Sequence, residues 1–320
     1  MTDTPGYEII DPLFATFLDT DTPPEVIAEG CTWTEGPVWV NGGLYFNDIP
    51  NKRMMRWTEA GGVTTALANS EFANGNTLDL SGQMVSCEHG GRRVVRRATP
   101  EDLDTALPLA THHGGSRLNS PNDVVVRSDG SIWFTDPPYG INSDIEGYPA
   151  EPEQPGCHVY CLTTDGTLTT VATDFDKPNG LAFSPDEAKL YVADSGAIRG
   201  ASFPGIDYNL PHHIRVFDVD GTTLTGGAVF AEIYPGVPDG LRVDHEGYVW
   251  TSALDGIHCL TPGGRLIGKI TLPAQTSNLC FGGDDGQTLF ITSSDRVYRL
   301  RSHRRDAAHV LRQTRKEHRQ

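Results

Sequence analysis

PNDVVVRSDGSIWFTD (residues 121–136) contains the unit from which most of this chain is built. A short apolar run, VVV, leads into the turn SDG and then into an aromatic and β-branched run, IWF. Two such runs around a Gly-containing turn specify an antiparallel hairpin. The hairpin is written six times. Its second runs are LYF at 44–46, MVS at 84–86, IWF at 132–134, LYV at 190–192, VWT at 249–251 and LFI at 289–291. The middle residues (Tyr45, Val85, Trp133, Tyr191, Trp250 and Phe290) are 40, 48, 58, 59 and 40 residues apart. Four-stranded propeller blades have about this length, so the spacing predicts an all-β, six-bladed β-propeller. The longer intervals hold two polar insertions, INSDIEGYPAEPEQPG at 141–156 and AIRGASFPGIDYNLPHH at 197–213. Long loops on one face of a fold commonly build or cover a site.

Composition agrees with one large strand-and-turn domain. The chain has 320 residues, 38% of them hydrophobic, and 35 glycines. We expect a single propeller over residues 1–303 and a basic C-terminal tail over 304–320. A helical face could form at the end, with Ala307, Val310, Leu311 and Thr314 on one side. No window approaches the ~20 apolar residues of a membrane span. The N-terminal MTDTPGYEIIDPLF lacks the charged start and apolar centre of a secretion signal. A cytoplasmic protein is therefore expected. The net charge of −17 argues against nucleic acid or an anionic membrane as partner. Residues 296–320 carry nine Lys/Arg against two acids, so the remainder is more acidic than the total suggests. The cysteines, at 31, 87, 157, 161, 259 and 280, are scattered, and four lie in strand-like runs. They read as reduced, mostly buried thiols. Oligomeric state is left open.

Aligning the six hairpins on their turns exposes a column. Eight residues before Gly43, Gly82, Gly130, Glu187, Gly247 and Gly286 stand Glu35, Asn74, Asn122, Asn179, Asp239 and Asn278. Equivalent positions in a propeller are related by rotation about its axis, so these side chains converge at the mouth of the central channel. Each carries a carboxylate or amide oxygen, the donor type that hard cations take. Two carboxylates offset the charge of a divalent ion. Asn and Asp also suit turns for backbone reasons. These positions, however, begin strands rather than cap hairpins, and Glu35 is a poor turn residue. The column therefore predicts a metal site on the central axis.

At these residues the chain resembles the senescence-marker-protein/gluconolactonase/luciferin-regenerating-enzyme family. The matching stretches include EGPVW at 35–39, CEHGGRRVVR at 87–96 and RLNSPNDVVVRSDGSIWFTDPPYG at 117–140. KPNGLAFSPDEAKLYVADS at 177–195, PDGLRVDHEGYVWTS at 238–252 and SNLCFGGDDGQTLFITSS at 277–294 extend the likeness from about residue 12 to 301. The 117–140 segment is most similar to the bacterial gluconolactonases. The basic tail after Arg301 departs from the family pattern. The resemblance implies hydrolysis of a gluconolactone-type sugar lactone at one divalent cation. It implies Glu35, Asn179 and Asp239 as metal ligands, with Asn122 at or near a fourth position. Ca²⁺ is the first expectation, and Mg²⁺, Mn²⁺ or Zn²⁺ also suit such sites. Arg117, Asn119, Asn122 and Asp123 match substrate-contacting positions.

Lactone hydrolysis passes through a tetrahedral oxyanion, which a cation beside the carbonyl oxygen stabilises. Asp239 is the candidate general base through its second oxygen. An arginine such as Arg117 suits sugar hydroxyls or a developing carboxylate, although a structural ion pair is a competing role. His89 is a candidate pocket residue or, equally, a satisfied structural histidine. Asp136 is a candidate supporting or turn-capping residue, and Asn74 and Asn278 join the column by spacing alone. No G-x-S-x-G elbow and no phosphate-binding Gly-Lys loop is present. Two rivals remain at this stage. One is a phosphotriesterase of diisopropyl-fluorophosphatase type on the same site, and the other is a propeller that only binds partners.

Overall fold

Each of the six hairpins grows into an antiparallel sheet, and the sheets stand around a common axis. The structure is a computed structural model and describes residues 4–98, 102–198 and 205–308. Blade 1 runs through Thr34–Val40, Gly43–Asp48, Arg53–Thr58 and Gly62–Leu67. Blade 2 comprises Ala73–Leu78, Met84–Glu88, Arg93–Ala98 and Asp102–Ala110. Blade 3 comprises Val124–Val126, Ile132–Asp136, Cys157–Leu162 and Leu168–Phe175, and blade 4 comprises Pro178–Phe183, Lys189–Asp194, His213–Asp220 and Thr223–Glu232. In blade 5, Leu241–Val243, Val249–Ala253, Gly256–Leu260 and Leu266–Thr271 gain a fifth strand, Gly6–Ile9, on the outer edge. Blade 6 takes three strands from the C-terminal part, Thr276–Gly282, Thr288–Ser293 and Arg296–Arg301, and its outermost strand, Glu25–Ala28, from the N-terminal part. Both ends of the chain thus share one sheet, and the ring is closed by backbone hydrogen bonds. The six-bladed propeller expected from the hairpin repeat is the fold observed.

The hydrophobic residues explain why the blades stay together. Alternation along a strand sends side chains to both faces of a sheet. Every blade here has apolar residues on both faces, because each face meets a neighbouring blade. The core is accordingly split into clusters that lie between consecutive blades. Val38, Tyr45 and Met54 of blade 1 pack on Met84 of blade 2. Trp133 and Val159 of blade 3 meet Leu181 and Val192 of blade 4. Blades 6 and 1 close the circle through Phe290 and Val297 against Leu44, Phe46 and Trp57. The N-terminal segment adds Phe14, which is fully buried against Trp250 with ring centroids 5.9 Å apart.

At the axis the innermost strands approach more closely than side chains permit. Four of the six column residues are followed by glycine: Gly36, Gly75, Gly180 and Gly240. A Cβ on Gly36 would lie 1.9 Å from the carbonyl oxygen of Asn74, and one on Gly75 would lie 2.6 Å from that of Asn122. A Cβ on Gly180 would lie 2.3 Å from the carbonyl oxygen of Asp239, and one on Gly240 would lie 2.0 Å from Cγ of Asn278. The Gly75 N–H donates to Asn122 O at 2.8 Å, and the Gly180 N–H donates to Asp239 O at 3.0 Å. Each glycine therefore holds its column residue against the next one around the ring.

Residues 304–308 stay within the packed body, so the expected tail keeps its first residues there. Arg304 is buried, with Nε 2.8 Å from Asp244 Oδ2 and its guanidinium 4.2 Å from the Phe17 ring centroid. Residues 309–320, where most of the expected helical face falls, lie outside the described residues. All six cysteines are free thiols, and four of them (Cys87, Cys161, Cys259 and Cys280) are buried.

Gly180→Ala should lower stability by about 2 kcal/mol or more, because the displaced atom is backbone. Gly263→Ala, where an added Cβ meets nothing nearer than 3.9 Å, should leave stability almost unchanged. Urea denaturation of the two variants checks the contrast.

Candidate active site

Around the axis the inner strands enclose a cavity of about 520 Å³. Its polar lining comes from Glu35, Asn74, Asn122, Asn179 and Asp239 of the column, joined by Glu146, Tyr139 and Gln275. Its apolar lining includes Trp33, Ile49, Ile198, Ile206 and Leu254. Both long insertions contribute. The 141–156 loop brings Glu146, and the 197–213 segment brings Ile198, Ile206 and Tyr208. No lysine, arginine or histidine lines the cavity among the described residues.

That absence leaves the carboxylates without a positive partner. Glu35 Oε2 accepts from the Gly36 N–H at 2.7 Å and from Asn278 Nδ2 at 3.1 Å. Burial nevertheless pushes the Glu35 carboxyl up to about 8, and nearby Asp123 and Glu146 add to the rise. Burial also raises Asp239 well above its ordinary value, with the Glu35 charge the next cause and the hydrogen bond from Asn179 opposing it. Glu146 is pushed up to about 7 by burial. Three carboxyls share one water-poor space and resist ionisation there.

His89 orients two of the amides. It is fully buried, and its Nδ1 lies 3.1 Å from the Glu146 carbonyl oxygen, which can only accept. Nδ1 therefore carries the proton, and Nε2 presents a lone pair. That lone pair accepts from Asn74 Nδ2 at 3.3 Å and Asn122 Nδ2 at 3.5 Å. Both amide nitrogens are engaged by the imidazole, so the Oδ1 atoms are the ends left for the cavity. Burial lowers His89 to about 4, which keeps the ring neutral.

The expected site residues separate into two groups. Glu35, Asn122, Asn179 and Asp239 come together at the cavity, and His89 stands behind two of its amides. Asn74 lines it as well, whereas Asn278 supports Glu35 from outside the lining. Arg117, Asn119 and Asp123 are not brought into the lining. Arg117 is exposed on the short hairpin His112–His113/Ser116–Arg117, and its Nη2 donates to Gly91 O at 3.2 Å. Asn119 is consumed structurally, its Nδ2 donating to Asp136 O at 3.1 Å and Gly156 O at 3.0 Å. Asp123 follows Asn122 directly, and its buried carboxylate lies 3.6 Å from Arg242 Nη1. Asp136 accepts from the Asn119 N–H at 2.8 Å, in keeping with a supporting role. Glu146 and Tyr139 escaped the sequence reading. The 141–156 insertion was the available signal, but it holds four acids and no repeat register to single one out.

The donor set fits a hard cation. Among the described residues no three His, Cys, Asp or Glu side chains converge as a metal cluster. The cavity wall instead pairs the column's two carboxylates with amide oxygens, and Glu146 stands in the same space, a set suited to an oxygen-seeking divalent ion rather than to one preferring nitrogen or sulfur.

Fold and site together define a six-bladed β-propeller with an oxygen-lined small-molecule pocket on its axis. The chain belongs to the SMP-30/gluconolactonase/LRE-like family, whose model matches residues 33–295. A gluconolactonase of Zymomonas mobilis is 35% identical over 317 residues, covering 91% of this chain and 84% of that protein. The pentonolactonase XacC of Haloferax volcanii is 26% identical, with 85% of each chain covered. The solved structure of a gluconolactonase from Xanthomonas campestris has 35% identity and a TM-score of 0.83, covering 94% of this chain and 95% of that one.

The raised carboxyls fix the sign of a pH effect. Between the ordinary glutamate value of 4.5 and about 8, an unfolded Glu35 is ionised while the folded one keeps its proton. Unfolding then releases protons, so stability falls as pH rises through this window. Chelator-treated protein should lose urea resistance between pH 5 and 8, and Glu35→Gln should flatten that decline. A midpoint that rises with pH would contradict the assignment.

Proposed function

We propose that the chain hydrolyses a sugar lactone to its aldonic acid at one divalent cation, Ca²⁺ first among the candidates. Glu35, Asn179 and Asp239 would hold the ion, with Asn122 at or near the fourth position. That this is a lactone-hydrolysing enzyme accords with its gluconolactonase and pentonolactonase relatives. The observation that carries the metal is the cavity's charge: buried carboxylates, amide oxygens and no cationic side chain in the described lining. The six free thiols suit a reducing compartment, which supports a cytoplasmic location. No helix of the described chain is long and apolar enough to cross a membrane.

A cation bound there supplies positive charge for the developing oxyanion and makes a neighbouring water more acidic. The protein's residues do the rest. Asp239, steadied by Asn179 and ionised once a cation's charge offsets its burial, would offer a carboxylate oxygen to take the proton of the attacking water. Water oxygen bonds to the carbonyl carbon, the ring C–O bond breaks, and the ring oxygen leaves as a hydroxyl on taking the proton held by Asp239. His89 holds the Asn74 and Asn122 amides with their oxygens forward. Trp33, Ile49, Ile198 and Leu254 displace water and offer an apolar surface to the C–H faces of the sugar ring.

Chelator-treated protein should not turn over glucono-1,5-lactone, and activity should return with one added divalent ion. Asp239→Asn should cost about three orders of magnitude or more in kcat. Full activity in the presence of chelator would overturn the metal assignment. His89→Phe leaves two amides free to turn, and should weaken ion affinity by about 10–100-fold by calorimetry while the fold persists. An unchanged affinity would mean that amide orientation does not matter.

A further inference from the structure

The reaction above leaves one cavity carboxylate without a role. Glu146 lines the pocket, yet its side chain makes no hydrogen bond to another described residue, and no cationic group belongs to the described lining beside it. Its charge is felt by both Glu35 and Asp239, yet the three do not converge as a metal cluster among the described residues.

The loop that carries Glu146 is held still from several sides. Its carbonyl accepts from His89 Nδ1 at 3.1 Å. The next residue, Gly147, folds against the preceding short helix Tyr139–Asn142 so tightly that a Cβ would lie 1.9 Å from Gly140 O. Tyr148 packs edge-on to Phe72 at 5.2 Å, and Lys52 Nζ lies 4.6 and 4.9 Å from the two ring centroids. Further along, Gln154 Nε2 donates to the carbonyls of His113, Ser116 and Arg117 at 3.2, 3.0 and 3.0 Å. These contacts fix where the loop sets Glu146 in the cavity wall.

The half-buried Glu146 carboxylate is an acceptor with about four lone-pair sites and no donor of its own. A ligand that displaces the cavity's water would leave it unpaired at a cost in binding, unless the ligand brings donors of its own. No cation serves it in the described lining, while a sugar ring brings several hydroxyl donors. We propose that Glu146 accepts hydrogen bonds from the hydroxyls of the bound ring and thereby selects polyhydroxylated lactones over unsubstituted ones. This rests on the lactonase reading above and names the substrate feature that the pocket recognises. A site built to pair a substrate hydroxyl discriminates strongly against an analogue lacking it, because the protein group is then buried alone.

The test compares wild type with Glu146→Gln on two substrates, glucono-1,5-lactone and the bare six-membered δ-valerolactone, with calorimetric ion affinity measured alongside. KM for gluconolactone should rise about tenfold or more, with kcat and the δ-valerolactone parameters within about twofold. Ion binding and far-UV circular dichroism should be retained. Equal losses on both lactones would place Glu146 at the reacting carbonyl and overturn the proposal, as would an unchanged KM or loss of ion binding. If wild type turns over neither lactone, the reaction fails separately. The hydroxyl claim is then read from calorimetry with 1,5-anhydroglucitol, which keeps the ring hydroxyls and lacks the carbonyl. Binding by wild type that is lost in Glu146→Gln upholds the claim, and no binding by wild type overturns it.

Discussion

Everything at the centre of this protein depends on how closely the six inner strands approach the axis. Neighbouring backbones come within hydrogen-bond distance there, as the Gly75 N–H to Asn122 O and Gly180 N–H to Asp239 O contacts show. Only glycine fits after the column residue in four blades, since any Cβ would overlap the next strand or the Asn278 side chain. The same closeness packs oxygen-bearing side chains from five different blades around one cavity. A looser ring would leave them as separate turn residues, each hydrated and each with ordinary chemistry.

Closeness has an electrostatic consequence. Glu35 is buried and Asp239 and Glu146 are half-buried in a space without a cationic side chain in its described lining, and all three resist ionisation. The protein tolerates this because the surrounding blades are stable independently of it. Apolar clusters between consecutive blades, and the shared N- and C-terminal strands of blade 6, bind the ring along its whole depth. The strain of like charges is local, and its relief by a bound cation and by ligand hydroxyls is what makes the cavity a site rather than a defect.

The axial column was legible because rotation symmetry turns a spacing of eight residues from each turn into a position in space. Glu35, Asn122, Asn179 and Asp239 meet the cavity for that reason, and Asn74 joins them. The Arg-x-Asn pair had no such register. Arg117 and Asn119 sit outside the repeat, and their side chains are used on Gly91, Asp136 and Gly156 instead. Asp123 is adjacent to a cavity residue, but it lies just ahead of the strand Val124–Val126, and its carboxylate faces Arg242. His89 stood open between pocket and structure. Its carbonyl partner on Glu146 decides that it buttresses two amides.

Periodicity alone determined the blade number, the inner strands and the ring of oxygen donors, because a repeated hairpin constrains each copy through the next. Glu146 and the apolar wall were decided only by tertiary structure. They lie in insertions whose residues follow no period, so nothing local distinguishes Glu146 from Asp144, Glu151 or Glu153. Its place comes from long-range contacts of its loop, His89 with the Glu146 carbonyl and Phe72 and Lys52 with Tyr148, which a linear chain does not display.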